Sequence, residues 1–230
     1  ALDEAARGTG AAAVLLGHTR DDQAESVLLG LARGSGARSL AGMQVSRGVL
    51  RRPWLEVTRA QTTRVCQVHG WDPWVDPTDH GGGGAPLRSQ VRHRVLPVLE
   101  EVLGPGVAAA LARTAAQLRE DADVLDALAV DVLGRVTLGR WAGRVDLDAA
   151  ALGTHPAAVR RRVLHRACAQ VGVPGGAVRR GHVLDLDALV VDWRGQGPVA
   201  LPGGGEGRRR CGRLTVAGSP TGGGQDDREQ

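Results

Sequence analysis

The sequence predicts an α/β protein in two parts: a strand-and-helix region, then a mostly helical region that ends in a short β hairpin. Three observations predict this. A short apolar run, Ala11 to Leu16, precedes a segment with apolar residues at helical spacing, and a second strand-helix pair follows it. From Val107 to Val132, apolar residues recur every three or four positions over many turns, the mark of a long amphipathic helix. Near the end, PVALPGG and RRCGRLTV read as two strands joined by a glycine-rich loop.

Taken in order, Ala11 to Leu16 fits a buried strand ending at Gly17-His18. A helix follows from Asp22 to Arg33, with Ala24, Val27, Leu28 and Leu31 on one stripe. Asp22 serves as its cap, with Glu25 three residues later, and Gly34 and Gly36 stop it. A short strand spans Gly48 to Arg52, before Pro53, and a second helix runs from Thr58 to His69. Residues 71–90 are rich in Pro, Gly and Asp and form a loop, the best domain boundary. Gly104-Pro105-Gly106 interrupts the helical pattern that follows. The long helix carries Val107, Leu111, Ala115, Leu118, Ala122, Leu125, Leu128 and Val132 on its apolar stripe. Further helices span Pro156 to Val171 and His182 to Val190. The expected organisation is therefore 1–78, a linker and connecting helix over 79–104, a helical domain over 105–218, and a disordered tail over 219–230. No internal repeat is visible.

Composition narrows the function classes. Hydrophobic residues are 42% and charged residues 23%, as in globular proteins. No apolar run approaches the roughly 18 residues of a membrane span, and no secretory signal pattern opens the chain. A cytoplasmic protein without a membrane partner is expected. All 29 basic residues are Arg, and Lys, Ile, Asn, Phe and Tyr are absent, as in a very GC-rich gene. The formal charge of +4 permits an anionic partner. Cys66, Cys168 and Cys211 form no CxxC pair, so they read as incidental thiols in a reducing compartment. The five Trp are expected in the core rather than as base-stacking groups.

Two clusters carry chemistry. In GHTRDDQAES, residues 17–26, His18 ends a strand, while Asp21, Asp22 and Glu25 open a helix at spacings that share a face. Such a group suits a magnesium ion with waters or the ammonium of an amine substrate; it equally suits a plain helix start. In LARGSGARSLAGM, residues 31–43, Arg33, Gly34, Ser35 and Gly36 form a turn of guanidinium and backbone N–H groups suited to a phosphate, or an ordinary glycine stop. Later, Arg160, Arg161, Arg162 and Arg166 crowd one helix, and Arg179, Arg180 and Arg208 to Arg210 follow. They suit a nucleic-acid backbone or a solvated face.

Both clusters stand in a longer series: HxxDDxxES, RGSGxRxLAGM, Arg52-Pro53, the DPTD of Asp76 to Asp79, and the RSQVRHRVLP that opens at Arg88. In this order they resemble the tRNA(Ile)-lysidine synthetases, members of the N-type ATP pyrophosphatase (PP-loop) group. WRGQGPVALPGG and RRRCGRL are similar to the closing hairpin of the short versions of that family. The resemblance implies a partial Rossmann-like, adenine nucleotide alpha hydrolase-like domain over 1–78, and a tRNA-contacting helical domain. It implies adenylation of the C2 oxygen of the wobble cytidine in CAU-anticodon tRNA(Ile), with release of pyrophosphate. The ε-amine of free L-lysine then attacks C2 and AMP leaves. ATP and Mg2+ are the implied cofactors. By family pattern, Asp21, Asp22 and Glu25 sit at the ATP, magnesium and lysine site, as metal and catalytic groups. His18, Arg33, Gly34, Ser35 and Gly36 lie at the nucleotide. Asp76, Asp79, Arg88 and Arg92 line the channel where cytidine, lysine and ATP meet, and Arg160, Arg161 and Arg162 contact tRNA.

The sequence also departs from the pattern. The family's SGGxDS phosphate loop is not among these residues, and the GGGG of Gly81 to Gly84 has no strand before it. The expectation is an N-terminally truncated chain, inactive until that segment is supplied. Asp79 stands where Asn is usual, Ser89 and Gln90 where Asn and Arg are common, and Ser26 where Thr is usual. Two rival readings are a non-catalytic tRNA-binding remnant and a tRNA thiolase, though the latter relies on cysteines whose spacing is not found here. The sequence leaves the oligomeric state open, a homodimer included.

Overall fold

The computed structural model describes residues 1–219. It is α/β, with two compact units that divide between Ala122 and Asp123. Among the described residues no single helix is long and apolar enough to cross a membrane.

The first unit opens with α1 (Leu2–Thr9), which the apolar pattern did not announce. A three-stranded sheet follows in the order β1-β3-β2. β1 (Val14–Leu15) runs parallel to β3 (Leu50–Arg51), and β2 (Ser46–Arg47) pairs antiparallel to β3. Both expected strands are present but shorter than read, and β2 was not foreseen. α2 (Arg20–Ala32) starts two residues before the expected Asp22. The cap is Thr19, and Asp22 reaches back to accept its N–H at 2.7 Å and its hydroxyl at 2.8 Å. The expected capping box is thus displaced by three residues, which frees Glu25 from any capping duty. Of the expected stripe, Ala24 and Val27 are buried, but Leu31 is exposed. Arg33 and Gly34 end the helix, Gly34 with φ 64°.

After α3 (Ala37–Leu40), α4 (Arg59–Val68) sits where the second helix was expected. Thr58 caps it, accepting the Gln61 N–H at 3.1 Å. Of the loop expected over 71–90, residues 71–86 are irregular, but residues 87–90 are helical. α5 (Leu87–Gln90), a π-helical turn (Val91–Val95) and α6 (Leu96–Leu103) then form one continuous helical run, broken at Gly104 with φ 90°. α7 (Val107–Val136) begins where Glu100 accepts the Ala108 N–H at 2.9 Å, a carboxylate against a helix N-terminus. Its buried side follows Ala115 and Ala122, then Ala129, Val132, Leu133 and Val136, and Leu128 is exposed. Ala115, Ala122, Ala129 and Val136 recur every seven residues on one side of the helix, and Leu128, one position before Ala129, falls off that line.

The second unit centres on a five-stranded antiparallel sheet in the order β4-β5-β8-β7-β6. Its strands are β4 (Thr137–Trp141), β5 (Arg144–Asp148), β6 (Val199–Leu201), β7 (Gly205–Arg210) and β8 (Arg213–Ala217). β4 and β5 were not read from the sequence. The segment RRCGRLTV, read as one strand, turns back at Cys211-Gly212, whose φ values of 49° and 75° suit a two-residue hairpin. α8 (Ala149–Gly153), α9 (Ala157–Gln170) and α10 (Arg180–Val191) supply the helical layer. The core joins Val145, Leu147, Leu214 and Val216 from the strands to Leu152, Val163, Leu164, Leu186 and Leu189 from the helices. The Trp expectation is overturned: Trp54, Trp71, Trp74, Trp141 and Trp193 are all exposed. Small aliphatic side chains close these interiors, so no indole is needed inside. Most of the predicted tail lies outside the described residues.

Candidate functional site

The site is built at the start of α2. Asp21, Asp22 and Glu25 leave its first turns toward the beginning of α4 and the helical run of α5 and the π turn. Asp21 accepts the backbone N–H of Arg59 at 2.7 Å, a carboxylate on the first residue of another helix. Asp22 receives Arg59 at 3.0 Å and Arg92 at 3.3 Å. Glu25 has a fully buried side chain and takes a forked bond from Arg92, at 2.7 and 3.2 Å. Arg59 and Arg88 stand beside the same carboxylate at 3.5 and 3.8 Å. Arg92 also binds Asp79 at 2.6 Å, and His93 meets the other oxygen of Asp79 at 3.0 Å. Arg88 reaches Ser26 Oγ at 3.1 Å, and that hydroxyl donates to the Asp22 carbonyl at 2.8 Å.

Charge and burial set the protonation states. Burial pushes the Asp22 carboxyl up, but the Thr19 N–H and hydroxyl, with Arg59 and Arg92, hold it below the ordinary carboxylate range. Asp79 behaves alike: burial raises it, and His93 and Arg92 bring it below its usual value. Burial alone would lower Arg92, yet Glu25 and Asp79 hold it above its ordinary value. The site is therefore a lattice of ionised carboxylates and guanidiniums. Arg59 and Arg88 are partly exposed and hold Glu25 only at longer range, so their remaining N–H groups can meet an anion. Asp22 and Asp79 can meet an ammonium.

The structure thus brings together Asp21, Asp22, Glu25, Asp79, Arg88 and Arg92, and adds Arg59 and His93, which the sequence reading did not name. The only signal for Arg59 was its place after the Thr58 cap; nothing local marks a partner 37 residues away. His18 lies just before Thr19, and its Nδ1 is buried without a hydrogen-bond partner. Asp76 is exposed and accepts the Thr78 N–H and hydroxyl, each at 2.8 Å, which shapes the loop leading to Asp79. Arg33, Gly34, Ser35 and Gly36 lie at the opposite end of α2, about 16 Å along its axis from Asp22. The Gly34 and Ser35 N–H groups there are used on the carbonyls of Leu31 and Gly30. Arg160 is buried in the second unit, where Asp187 accepts from it and, at 2.8 Å, from Arg161. Arg162 binds Asp126 at 3.0 Å. These arginines hold helices together rather than standing free on a surface. Among the described residues no three His, Cys, Asp or Glu side chains are gathered as a ready-made metal site. The trio faces guanidiniums and N–H groups instead.

Comparison with known proteins decides the family. Residues 1–99 match the family model of a PP-loop domain, and residues 147–215 match that of a TilS substrate binding domain. The tRNA(Ile)-lysidine synthase of Thermobifida fusca (strain YX) is 52% identical over 217 residues, which cover 94% of this chain and 65% of that protein. The synthases of Streptomyces coelicolor and Leifsonia xyli subsp. xyli are each 50% identical, over 94% and 88% of this chain and 60% of their own lengths.

The chain belongs to the tRNA(Ile)-lysidine synthase family. It spans about 60–65% of the length of these relatives. In this member the PP-loop domain contributes the Glu25-centred cluster, and the substrate binding domain contributes the sheet and helices of the second unit.

Proposed function

We propose that the chain supplies the cytidine- and lysine-handling part of a tRNA(Ile)-lysidine synthase. One observation carries the reading: the buried carboxylate of Glu25 holds or adjoins arginines from two separate segments, beside the ionised carboxylates of Asp22 and Asp79. Formation of lysidine needs both kinds of group. Adenylation of the cytidine C2 oxygen develops negative charge on phosphate, which Arg59 and Arg88 can neutralise. The attacking lysine arrives as an ammonium, which Asp22 and Asp79 orient and which must lose a proton before its nitrogen bonds to C2. AMP then leaves with the former C2 oxygen. Glu25 acts as a positioning residue, because its contacts are with the arginines. ATP grip is completed by the SGGxDS loop of the family, which is not among these residues. The reaction places the protein in the cytoplasm, with the CAU-anticodon isoleucine tRNA and free lysine as partners.

The test is incorporation of labelled lysine into that tRNA with ATP and magnesium, by this chain and by a fusion carrying a relative's SGGxDS segment. Label only with the fusion supports the proposal in full. Label with the chain alone moves ATP binding to residues within it. If neither incorporates label while both bind the tRNA, a binding remnant becomes the better account.

A further inference from the structure

The outer face of the second unit's sheet holds an arrangement that the reaction does not use. Asp146 on β5 is completely buried, and it receives two hydrogen bonds from Arg144, both at 2.9 Å. Arg213 on β8 reaches the same carboxylate at 3.0 Å, and the Thr215 hydroxyl at 2.8 Å. Burial pushes the Asp146 carboxyl up, but these donors hold it below the ordinary range, so it remains an anion behind the two arginines. The arginines themselves are half exposed, at 49% and 50%. Arg144 also lies 5.2 Å from the centroid of the Trp141 ring. Trp141 is 55% exposed and folds over Gly139, where any added Cβ would strike the indole at 2.3 Å. An indole that is costly to expose is thus braced in place on the surface by a guanidinium and a bare glycine.

A strand register explains why these groups share a face. Trp141 is paired with Arg144, Asp146 with Thr215, and Arg210 with Arg213, whereas Val145 and Val216 point to the core. The outward row is therefore rich in arginine, and the carboxylates on it are Glu206, bound to Arg208 at 3.0 Å, Asp146, and Asp148, bound to the Ala151 N–H at 3.0 Å. Fixed guanidiniums beside an exposed, braced aromatic plane are what an unpaired nucleotide requires: a planar surface for the base and a forked donor for the phosphate.

We propose that Trp141, Arg144 and Arg213, braced by Asp146, form a subsite for a single-stranded RNA segment, with one base stacked on the Trp141–Arg144 pair and a phosphate held by Arg213. The inference rests on the tRNA reading above but concerns a surface separate from the Glu25 cluster. It predicts a requirement for unpaired nucleotides, since a duplex keeps its base planes stacked inside the helix.

The test is fluorescence anisotropy of the 230-residue chain with a labelled unstructured RNA oligonucleotide, an RNA duplex and the isoleucine tRNA. Trp141→Ala is expected to weaken single-strand binding roughly tenfold with little change in salt dependence. The double change Arg144→Ala with Arg213→Ala is expected to weaken it as well and to lower the salt slope by about 1 to 2. Arg135→Ala, which removes an exposed guanidinium on α7, is the charge control and is expected to have little effect. Circular dichroism verifies that each variant remains folded. Equal binding by the chain and Trp141→Ala overturns the proposal while leaving the tRNA reading intact. Equal losses in the control and the double variant also overturn it, since charge alone then suffices. Equally tight duplex binding, or competition by an acidic peptide as strong as by RNA, overturns it too. Failure of the unaltered chain to bind any RNA overturns both readings together.

Discussion

In the second unit the largest fully buried side chains are aliphatic, Leu147, Leu152, Leu164, Leu186, Leu189 and Leu214; in the first, the largest among the described residues is a carboxylate, Glu25. The apolar cluster around it is small, with Ala24, Val91 and Leu96 at its centre. The two interiors answer different demands. Aliphatic burial at about 25 cal/mol per Å² stabilises without directing chemistry. A buried ion lattice contributes little net stability, but it fixes where charged groups point. The difference identifies the first unit as the place where geometry matters most and the second as the better-anchored scaffold.

The largest expected effect probes that scaffold. Leu164→Ala in α9 is expected to cost about 2–5 kcal/mol, read by urea denaturation; a cost under about 1 kcal/mol would erase the contrast. Next comes Glu25→Gln, which keeps the shape and removes the charge. It is expected to destabilise by about 1.5–3 kcal/mol, because a hydrogen bond to a charged partner is weakened. The lysine-incorporation assay is expected to lose far more than stability does. If Glu25→Leu proves neutral for stability yet inactive, the contrast sharpens, since the charge then serves orientation alone.

A third, smaller effect concerns pH. The folded carboxyls of Asp22 and Asp79 lie below their unfolded values, so their stabilisation is present above about pH 4 and is lost as pH falls through the folded values. Asp79→Asn is expected to flatten part of that acid loss, by less than about 1 kcal/mol because the pair is partly exposed. Comparing acid denaturation curves of the two proteins checks this. The smallest perturbation uses thiols. Cys211 is exposed and is expected to react with a maleimide at once, whereas Cys168 is buried and its thiol is pushed up to about 11. Labelling of Cys168 in step with that of Cys211 would show that the second unit opens readily, contrary to its dense core.

The same contrast explains what could be read from sequence. The helices at α2, α4, α9 and α10 were legible because each carries a cap, a stop or an apolar period in a short window. The carboxylates of the site were legible because Asp21, Asp22, Glu25 and Asp79 lie in two recognisable motifs. Arg59 was not, since its role depends on a contact with a residue 37 positions earlier that no local pattern encodes. The roles expected for Arg160, Arg161 and Arg162 met the opposite problem: charge density on a helix suggests a free surface, but their Asp187 and Asp126 partners lie on other turns and helices. β4 and β5 were hidden because TLGRW and RVDLD follow directly on a 30-residue helix whose periodicity dominates the window. Their Ala142-Gly143 turn was the available signal, with Gly143 at φ 69°.

The π-helical turn at Val91–Val95 turns helix length into a constraint on inheritance. The Leu96 N–H bonds the Val91 carbonyl, five residues back, so this run contains one residue more than an α-helix of the same pitch would use. Removing that residue would leave an ordinary α-helix joining the same two flanks, so the segments before and after the turn can keep their facing. What changes is the turn itself, from which Arg92 reaches Glu25, while Leu96 at its end joins the apolar cluster around Ala24. A one-codon loss here is therefore expected to spare the anchor and spoil the aim of Arg92, and lineages that keep the charge lattice are expected to keep the length of the turn.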